Sequence, residues 1–225
     1  MKLFLVLPLL FAVQTSSADY SGAVTAGTGG AGRAAIEASE GPFNNPATIP
    51  YLNGYYFTSG IGSSVQNGVV GNDLTLSLTD NMKETVLPTS LAYGQSVYNM
   101  DSGEQMAKRQ LRLSFGGYWT KKITSGLAFI YQDDKMPTTR FTQTNLTAGV
   151  EWVPNKDLGF AMVVENLMPA SEAIPIANKL KKTTGGGMVM NYMKLMRFKA
   201  DVVSGPENNF LYPTLALGVE NYLNK

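Results

Sequence analysis

The strongest constraint on the fold is a run in which apolar and charged residues alternate at every step. It covers residues 196–202 and reads Met-Arg-Phe-Lys-Ala-Asp-Val. Successive side chains of a β-strand point to opposite faces. One face of this strand is therefore apolar, and the other carries Arg197, Lys199 and Asp201. The run predicts a strand that separates two different environments.

Similar alternation recurs from residue 51 to the end of the chain, between stretches that favour turns. Ten segments are close to the 9 to 11 residues that a tilted membrane-spanning strand needs. The predicted strands are residues 55–64, 72–79, 89–99, 108–120, 122–132, 140–152, 157–166, 185–193, 195–203 and 214–222.

Residues 1–18 have the features of a secretory signal peptide. Lys2 gives a positive start, residues 3–13 are nearly all apolar, and small residues precede Asp19. The apolar run is shorter than the roughly 20 residues of a transmembrane helix. We therefore predict export with cleavage before Asp19, and an uncleaved membrane anchor is the alternative.

The mature chain is expected to be close to neutral. Removal of Lys2 leaves 18 − 1 = 17 basic residues against 17 acidic ones. Phosphate binding needs a basic surplus, so we expect no nucleic acid as a partner. No apolar run after residue 18 can span a bilayer as a helix, and a spanning chain would then have to be a closed β-barrel. The charged content of 16% suits a barrel but also a soluble β-sandwich.

The lengths of the predicted links favour the membrane barrel. Short links near residues 121, 155 and 194 alternate with longer ones at 100–107, 133–139, 167–184 and 204–213. Outer-membrane barrels have short periplasmic turns and longer outer loops, whereas a sandwich does not sort its links in this way. We expect an all-β fold, an antiparallel transmembrane β-barrel of about ten strands that spans the outer membrane with residues 51–225. A soluble periplasmic β-protein is the remaining alternative.

The alternation assigns two faces to this barrel. Its apolar face is expected to contact outer-membrane lipid, and its polar face to line the lumen. The residues predicted to face lipid are Leu111, Leu113, Phe115, Trp119, Trp152, Phe160 and Phe198. The residues predicted to face the lumen are Arg112, Glu151, Glu165, Arg197, Lys199, Asp201 and Glu220. Opposite charges can pair across a narrow lumen, which is the expected role, and orienting a ligand is the alternative.

The residues available for chemistry are few. The chain has no histidine and no cysteine, which removes imidazole and thiolate ligands, the commonest general base and any Ser-His-Asp triad. Asp133 and Asp134 are predicted to lie in a solvated turn and are too few for a calcium site. The glycines at 185–187 lack the following helix of a phosphate-binding loop. We expect no enzymatic activity, no metal site and no cofactor.

Two further segments carry predictions. Residues 19–50 are rich in Gly, Ala and Asn, and a short helix is expected over residues 32–40, with Arg33 and Glu37 one turn apart. The Asn-Asn-Pro turn at 44–46 would end that helix. Residues 167–182 are predicted to be an exposed outer loop or an amphipathic segment that contacts headgroups.

The N-terminal region contains the stretches Gly-Thr-Gly-Gly-Ala-Gly-Arg-Ala-Ala at 27–35 and Asn-Asn-Pro-Ala at 44–47. These stretches resemble the mature N-terminus of FadL-like outer-membrane proteins, a superfamily that includes fatty-acid transporters and PorV-like proteins. Residues 164–167 and 215–220 also look like later elements of these barrels. The resemblance implies that residues 19–50 fold inward as a plug. The centre of this plug would be formed by Arg33, Glu37, Asn45 and Pro46.

The resemblance also implies a function. FadL-like proteins bind hydrophobic ligands, and PorV-like proteins hold secreted proteins. A passive route for small hydrophobic molecules is therefore expected, with Arg33 and Glu37 holding the plug against inward charges such as Arg112 and Glu151. A non-transporting protein that stabilises the membrane, or that docks a surface or secreted protein through residues 167–184, is the alternative. The chain is shorter than a fatty-acid transporter, whose outer loops form the ligand site.

Overall fold

The computed structural model describes residues 25, 28, 30–66, 69–100, 103–193, 195–205 and 213–222. The predicted signal peptide, residues 1–18, lies outside this part of the chain, as do most of the link at 204–213 and the first residues of the predicted plug. Within the described part, none of the helices has the length and apolar character needed to cross a bilayer.

Ten antiparallel strands form a single sheet, in which each strand pairs with its neighbours in the sequence. The strands are β1 Gly54–Gln66, β2 Val69–Asn81, β3 Thr89–Asn99, β4 Gln105–Thr120, β5 Ile123–Lys135, β6 Arg140–Asn155, β7 Leu158–Glu165, β8 Thr183–Tyr192, β9 Met196–Ser204 and β10 Thr214–Asn221. The prediction of ten antiparallel strands is confirmed.

The solvated turn predicted at Asp133 and Asp134 is wrong. Strand β5 continues through both residues, which pair with Thr142 and Phe141 of β6. Asp134 is buried on the inner face, where its carboxylate accepts hydrogen bonds from Gln132 Nε2 at 2.9 and 3.1 Å. The ladder to β6 supplies the backbone partners that keep these aspartates in a strand despite their low β-propensity.

The helix predicted over residues 32–40 is also wrong. Those residues form turns, and the short helix α1 comes later, at Gly41–Asn44. A 3-10 helix follows at Pro46–Tyr51. Asn45 ends α1 and caps the 3-10 helix, because its Oδ1 accepts a hydrogen bond from the backbone N–H of Ala47 at 3.0 Å. The Asn-Asn-Pro turn therefore ends a helix, although a different one from that predicted.

The sheet curves around residues 30–52, which we term the inner segment. The carbonyl of Ala38 accepts a hydrogen bond from Ser77 of β2 at 3.4 Å, while the adjacent Glu37 binds Arg197 of β9 at 2.5 Å. Seven strand spacings separate β2 from β9, which corresponds to about 33 Å across a flat sheet. Two adjacent residues reach both strands only because the sheet curls strongly around them.

The concave side of this curled sheet holds the core. Phe43, Ala47 and Ile49 of the inner segment are buried there, against the inner faces of the strands. Strand β1 pairs with β2 and β10 pairs with β9, and the described residues show no ladder between β1 and β10. Closure of the sheet into a barrel therefore stays a prediction.

Candidate functional site

The candidate site is the contact between the inner segment and the concave face of the sheet. This face carries the residues predicted to face a lumen. Of these, Arg112, Glu151, Glu165, Lys199 and Asp201 are buried, and Arg197 and Glu220 are half-buried. Charged groups removed from water are costly unless they are paired or hydrogen-bonded, so their partners determine how this region is held together.

Asp201 on β9 binds the beginning of the inner segment. Its Oδ2 accepts hydrogen bonds from the backbone N–H groups of Gly32 and Arg33, at 2.9 and 3.0 Å, and from Arg33 Nη1 at 3.3 Å. The same guanidinium lies 3.7 Å from Glu165 of β7, and Glu165 accepts a hydrogen bond from Thr183 at 2.7 Å. One buried arginine thus joins the segment to two strands.

Glu37 forms ion pairs with two basic side chains of β9. Arg197 Nη1 lies 2.5 Å and Lys199 Nζ 3.0 Å from Glu37 Oε1. Both cations also pair with Glu220 of β10, Arg197 at 3.6 Å and Lys199 at a shorter distance. The ring of Tyr222 lies 5.3 Å from the Arg197 guanidinium. Two carboxylates and two cations form this cluster, so its formal charges cancel.

The predicted partners of the plug differ from those in the structure. Arg112 and Glu151 contact the inner segment at Phe43 and Asn45. Arg112 donates a hydrogen bond to the carbonyl of Phe43, and Asn45 Nδ2 donates to Glu151 at 3.0 Å. The pairing depends on strand register and sheet curvature, which residue spacing in the sequence does not specify.

A row of three glycines makes room for the 3-10 helix. Gly116, Gly126 and Gly149 are paired side by side across β4, β5 and β6. A Cβ at Gly126 would meet the backbone of Pro46, and a Cβ at Gly149 would meet the Asn45 side chain. Glycine allows this close approach, because it has no side chain. Burial raises the pKa of the Tyr51 hydroxyl at the end of this helix.

The convex face carries the residues predicted to face lipid. These are Leu111, Leu113, Phe115, Trp119, Trp152, Phe160 and Phe198, all exposed or half-exposed on the side away from the inner segment. Among the described strand residues, this face carries charge only at Asp80, Arg109, Asp133, Lys135 and Arg140, which lie at or near strand ends. The Trp152 and Phe160 rings stack at 5.3 Å near the end with the short turns.

A pocket of about 680 Å³ opens beside the end of the inner segment. Its walls are the β2–β3 turn, with Met82 and Leu87, together with Pro50 and Tyr118. The Tyr118 hydroxyl donates a hydrogen bond to the Pro50 carbonyl at 2.5 Å. The pocket is within the size range of small-molecule sites, and it touches the inner segment directly.

Comparison with known proteins gives little further information. No protein-family model and no curated protein matches the chain. A solved structure of the NanC porin, in a rhombohedral crystal form, is similar over 75% of this chain and 94% of its own, with 15% identity and a TM-score of 0.46. A likeness of this size does not identify a shared fold or function, and the FadL-like resemblance stays a prediction.

The segment predicted to be an outer loop folds against β6. Gln143 donates a hydrogen bond to the carbonyl of Asn178 at 2.7 Å and accepts one from the Leu180 N–H at 3.1 Å. Ile174 of this loop is buried, whereas Ile176 is 80% exposed. A 3-10 turn at Ile176–Asn178 presents this side chain to the surroundings.

Two features of the structure, one at the site and one on the convex face, are absent from the sequence-based predictions. One is the glycine row, whose members are far apart in the sequence and become neighbours only through register. The other is the group of convex-face charges around Asp133, because the sequence predicts a turn at that residue. If the predicted strand at 122–132 had been extended to Lys135 on the same alternation, the prediction would have placed Asp133 in the strand. In the described part of the chain, no cluster of three or more acidic residues could hold a metal ion.

Proposed function

We propose that this chain is an outer-membrane β-barrel whose bore is plugged by the inner segment, and that it gives small hydrophobic molecules a passive route past this plug. The observation that carries the proposal is the contrast between the two faces of the curled sheet. The concave face is charged and buried around the inner segment, whereas the middle of the convex face is apolar and uncharged in the described strands. Lipid is the environment that suits such a convex face.

The height of the uncharged band supports placement in a membrane. On β5, the charged Asp133 lies ten positions along the strand from Ile123, which pairs with Trp152. Ten residues extend about 33 Å along a strand, or about 25 Å along the bilayer normal at a tilt of about 40°. This matches the apolar band of roughly 25 Å that outer-membrane barrels present to lipid.

The inner segment is well suited to act as a plug. It is bound to β2 through Ser77, to β6 through Glu151, and to β9 through Asp201 and Arg197. Contacts on several sides of the bore, two of them buried and two partly buried, would hold the segment in place. Passage then requires the segment to shift, and the pocket beside Pro50 is where a ligand would meet it.

The barrel itself is tested first, by fractionation and by gel mobility. A membrane barrel requires detergent for extraction and migrates differently before and after boiling. Extraction without detergent, together with a single mobility, would instead support the soluble periplasmic β-protein.

The route is tested with a charge placed in the pocket. Leu87→Glu should reduce uptake of a labelled hydrophobic probe into proteoliposomes, because a carboxylate in the pocket opposes passage of an apolar molecule. Leu195→Glu is the matched control, since this turn leucine lies at the same end of the sheet, does not line the pocket and is 47% exposed against 49% for Leu87. Deletion of residues 19–50 should also reduce hydrophobic uptake, because it removes Pro50 and with it one wall of the pocket. Equal uptake by all these variants would contradict the route.

Partner docking without transport is the second candidate. It is favoured by the loop at 167–182, which is held by Gln143 and exposes the apolar Ile176. Unchanged uptake in the variants above, with loss of a bound surface protein in Ile176→Asp, would support this candidate over the route.

A further inference from the structure

The charges of the convex face are concentrated at one place. Of the five charged residues there, Arg109, Asp133, Lys135 and Arg140 lie on the adjacent strands β4, β5 and β6, at the end of these strands that leads to the longer links. Asp80 lies elsewhere and binds its own turn through Thr85. Among the described strand residues, Asp80 is the one other charge on this face, so this group marks a distinct surface, which we term the basic rim.

Asp133 holds the two arginines of the basic rim in place. Arg140 binds it with two hydrogen bonds, Nε to Oδ1 at 2.6 Å and Nη2 to Oδ2 at 2.9 Å, and Arg109 Nη1 lies 3.7 Å from Oδ2. The Asp133 side chain is only 8% exposed, whereas those of Arg109 and Arg140 are 44% and 63% exposed. A guanidinium has five N–H donors, so Arg140 keeps donors directed to its surroundings.

The charge of the basic rim is not balanced by its own residues. Three cations and one carboxylate give 3 − 1 = +2. The rim lies at the edge of an apolar band, so an anion that lies in the membrane plane would balance this positive charge. Guanidinium groups form short charge-assisted hydrogen bonds with phosphate oxygens in particular.

The surface next to the basic rim is apolar and aromatic. One step further into the band, Tyr93, Leu111 and Tyr131 are paired side by side on β3, β4 and β5. Their side chains point outward and leave part of their surface exposed. A ligand that fits both surfaces has a phosphate at the rim and a hydrocarbon chain along these residues.

We propose that the basic rim binds the phosphate of a phosphorylated lipid in the outer leaflet. This inference depends on the membrane barrel proposed above. Arg109 and Arg140, oriented by Asp133, donate to the phosphate oxygens, and Lys135 adds positive charge beside them. The acyl chains lie against Leu111 and the two tyrosines. The outer leaflet is assigned because longer links mark the outer end of such barrels.

Binding of defined lipids to the detergent-purified full chain tests this proposal. Native mass spectrometry with dioleoyl phosphatidic acid as the probe gives the dissociation constant for each variant. The double variant Arg109→Gln/Arg140→Gln should bind at least about tenfold more weakly than the unchanged chain, since it loses two charge-assisted contacts. Lys121→Gln/Lys122→Gln, which removes two exposed lysines of the β4–β5 turn, should bind as the unchanged chain does.

Several results would overturn the proposal. Dioleoylglycerol, which lacks the phosphate, should bind weakly, and its binding as tightly as the phosphatidic acid would show that only the apolar surface is used. Competition by inorganic phosphate at the concentration of the lipid would indicate a free-anion site. Equal weakening in both double variants would indicate general charge attraction.

Gel mobility separates failure of this proposal from failure of the proposed function. If the variants keep heat-modifiable mobility and phosphatidic acid binding is the same in all of them, the barrel stands and only the lipid site is rejected. If none of the proteins shows that mobility, the membrane barrel itself is rejected.

Discussion

Replacement of Asp201 by asparagine should release the beginning of the inner segment. Asparagine keeps the shape of the side chain but removes the charge that pairs with Arg33. In the structure, one carboxylate oxygen accepts three N–H donors of Gly32 and Arg33, and the residue is 1% exposed. Loss of this anion leaves a buried guanidinium that Glu165 contacts at 3.7 Å.

The expected magnitude follows from that geometry. Removal of one partner of a buried ion pair typically costs about 3 to 5 kcal/mol. Because Glu165 still compensates part of the Arg33 charge, we expect a value near the lower end, about 3 kcal/mol. At about 1.4 kcal/mol for each factor of ten, this raises the population of the released segment roughly hundredfold.

Thiol labelling measures this population. The chain contains no cysteine, so a single Ala35→Cys substitution reports on the segment alone, at a position that is 1% exposed. A maleimide reagent should label this thiol slowly in the otherwise unchanged chain and roughly hundredfold faster with Asp201→Asn, if the segment opens and closes quickly compared with labelling. Asp157→Asn, in the exposed β6–β7 turn, is the matched control for loss of an aspartate charge.

One outcome would refute this reasoning directly. If the thiol of the Ala35→Cys reporter is labelled equally fast in the otherwise unchanged chain, with Asp201→Asn and with Asp157→Asn, the buried pair does not hold the segment. The role of Asp201 as its anchor would then have to be abandoned.

Further predictions concern the glycine row and the convex face. Gly126→Ala should lower the unfolding free energy by about 1 to 3 kcal/mol in a denaturant titration, because its Cβ meets the Pro46 backbone. Gly117→Ala, whose Cβ would have no neighbour within 4 Å, should be close to neutral, and equal effects of the two would contradict the packing argument. Phe129→Lys, at mid-height on the convex face, should cost about 2 to 4 kcal/mol when the protein folds into lipid vesicles, against about 0 to 1 for the similarly exposed Tyr55→Lys near a strand end. Similar costs for both substitutions would mean that water, and not lipid, covers this face.

The strands could be predicted from the sequence because their signal is local. Alternation with a period of two residues needs only a few consecutive positions, and turn residues mark where it stops. The same signal placed residues such as Arg112 and Leu113 on opposite sides of β4. It failed at Asp133 and Asp134, where charged residues suggest a turn although the ladder to β6 continues.

The inner segment could be predicted less well. Its composition marked it as different from the strands, but its helix was placed over residues 32–40 instead of Gly41–Asn44. The i, i+4 spacing of Arg33 and Glu37 suggests a helix, yet both residues pair with charged residues of the sheet, Arg33 with Asp201 and Glu37 with Arg197 and Lys199. Local spacing cannot reveal partners that lie more than 100 residues away.

The sequence by itself determined the number of strands and which side of each is apolar, since both follow from the order of neighbouring residues. Only the tertiary structure decided that Arg33 meets Asp201, that three glycines form one row, and that Arg109 and Arg140 share Asp133. These contacts depend on strand register and on the curvature of the sheet. Both are properties of the whole assembly of strands, because each arises when distant segments pack together.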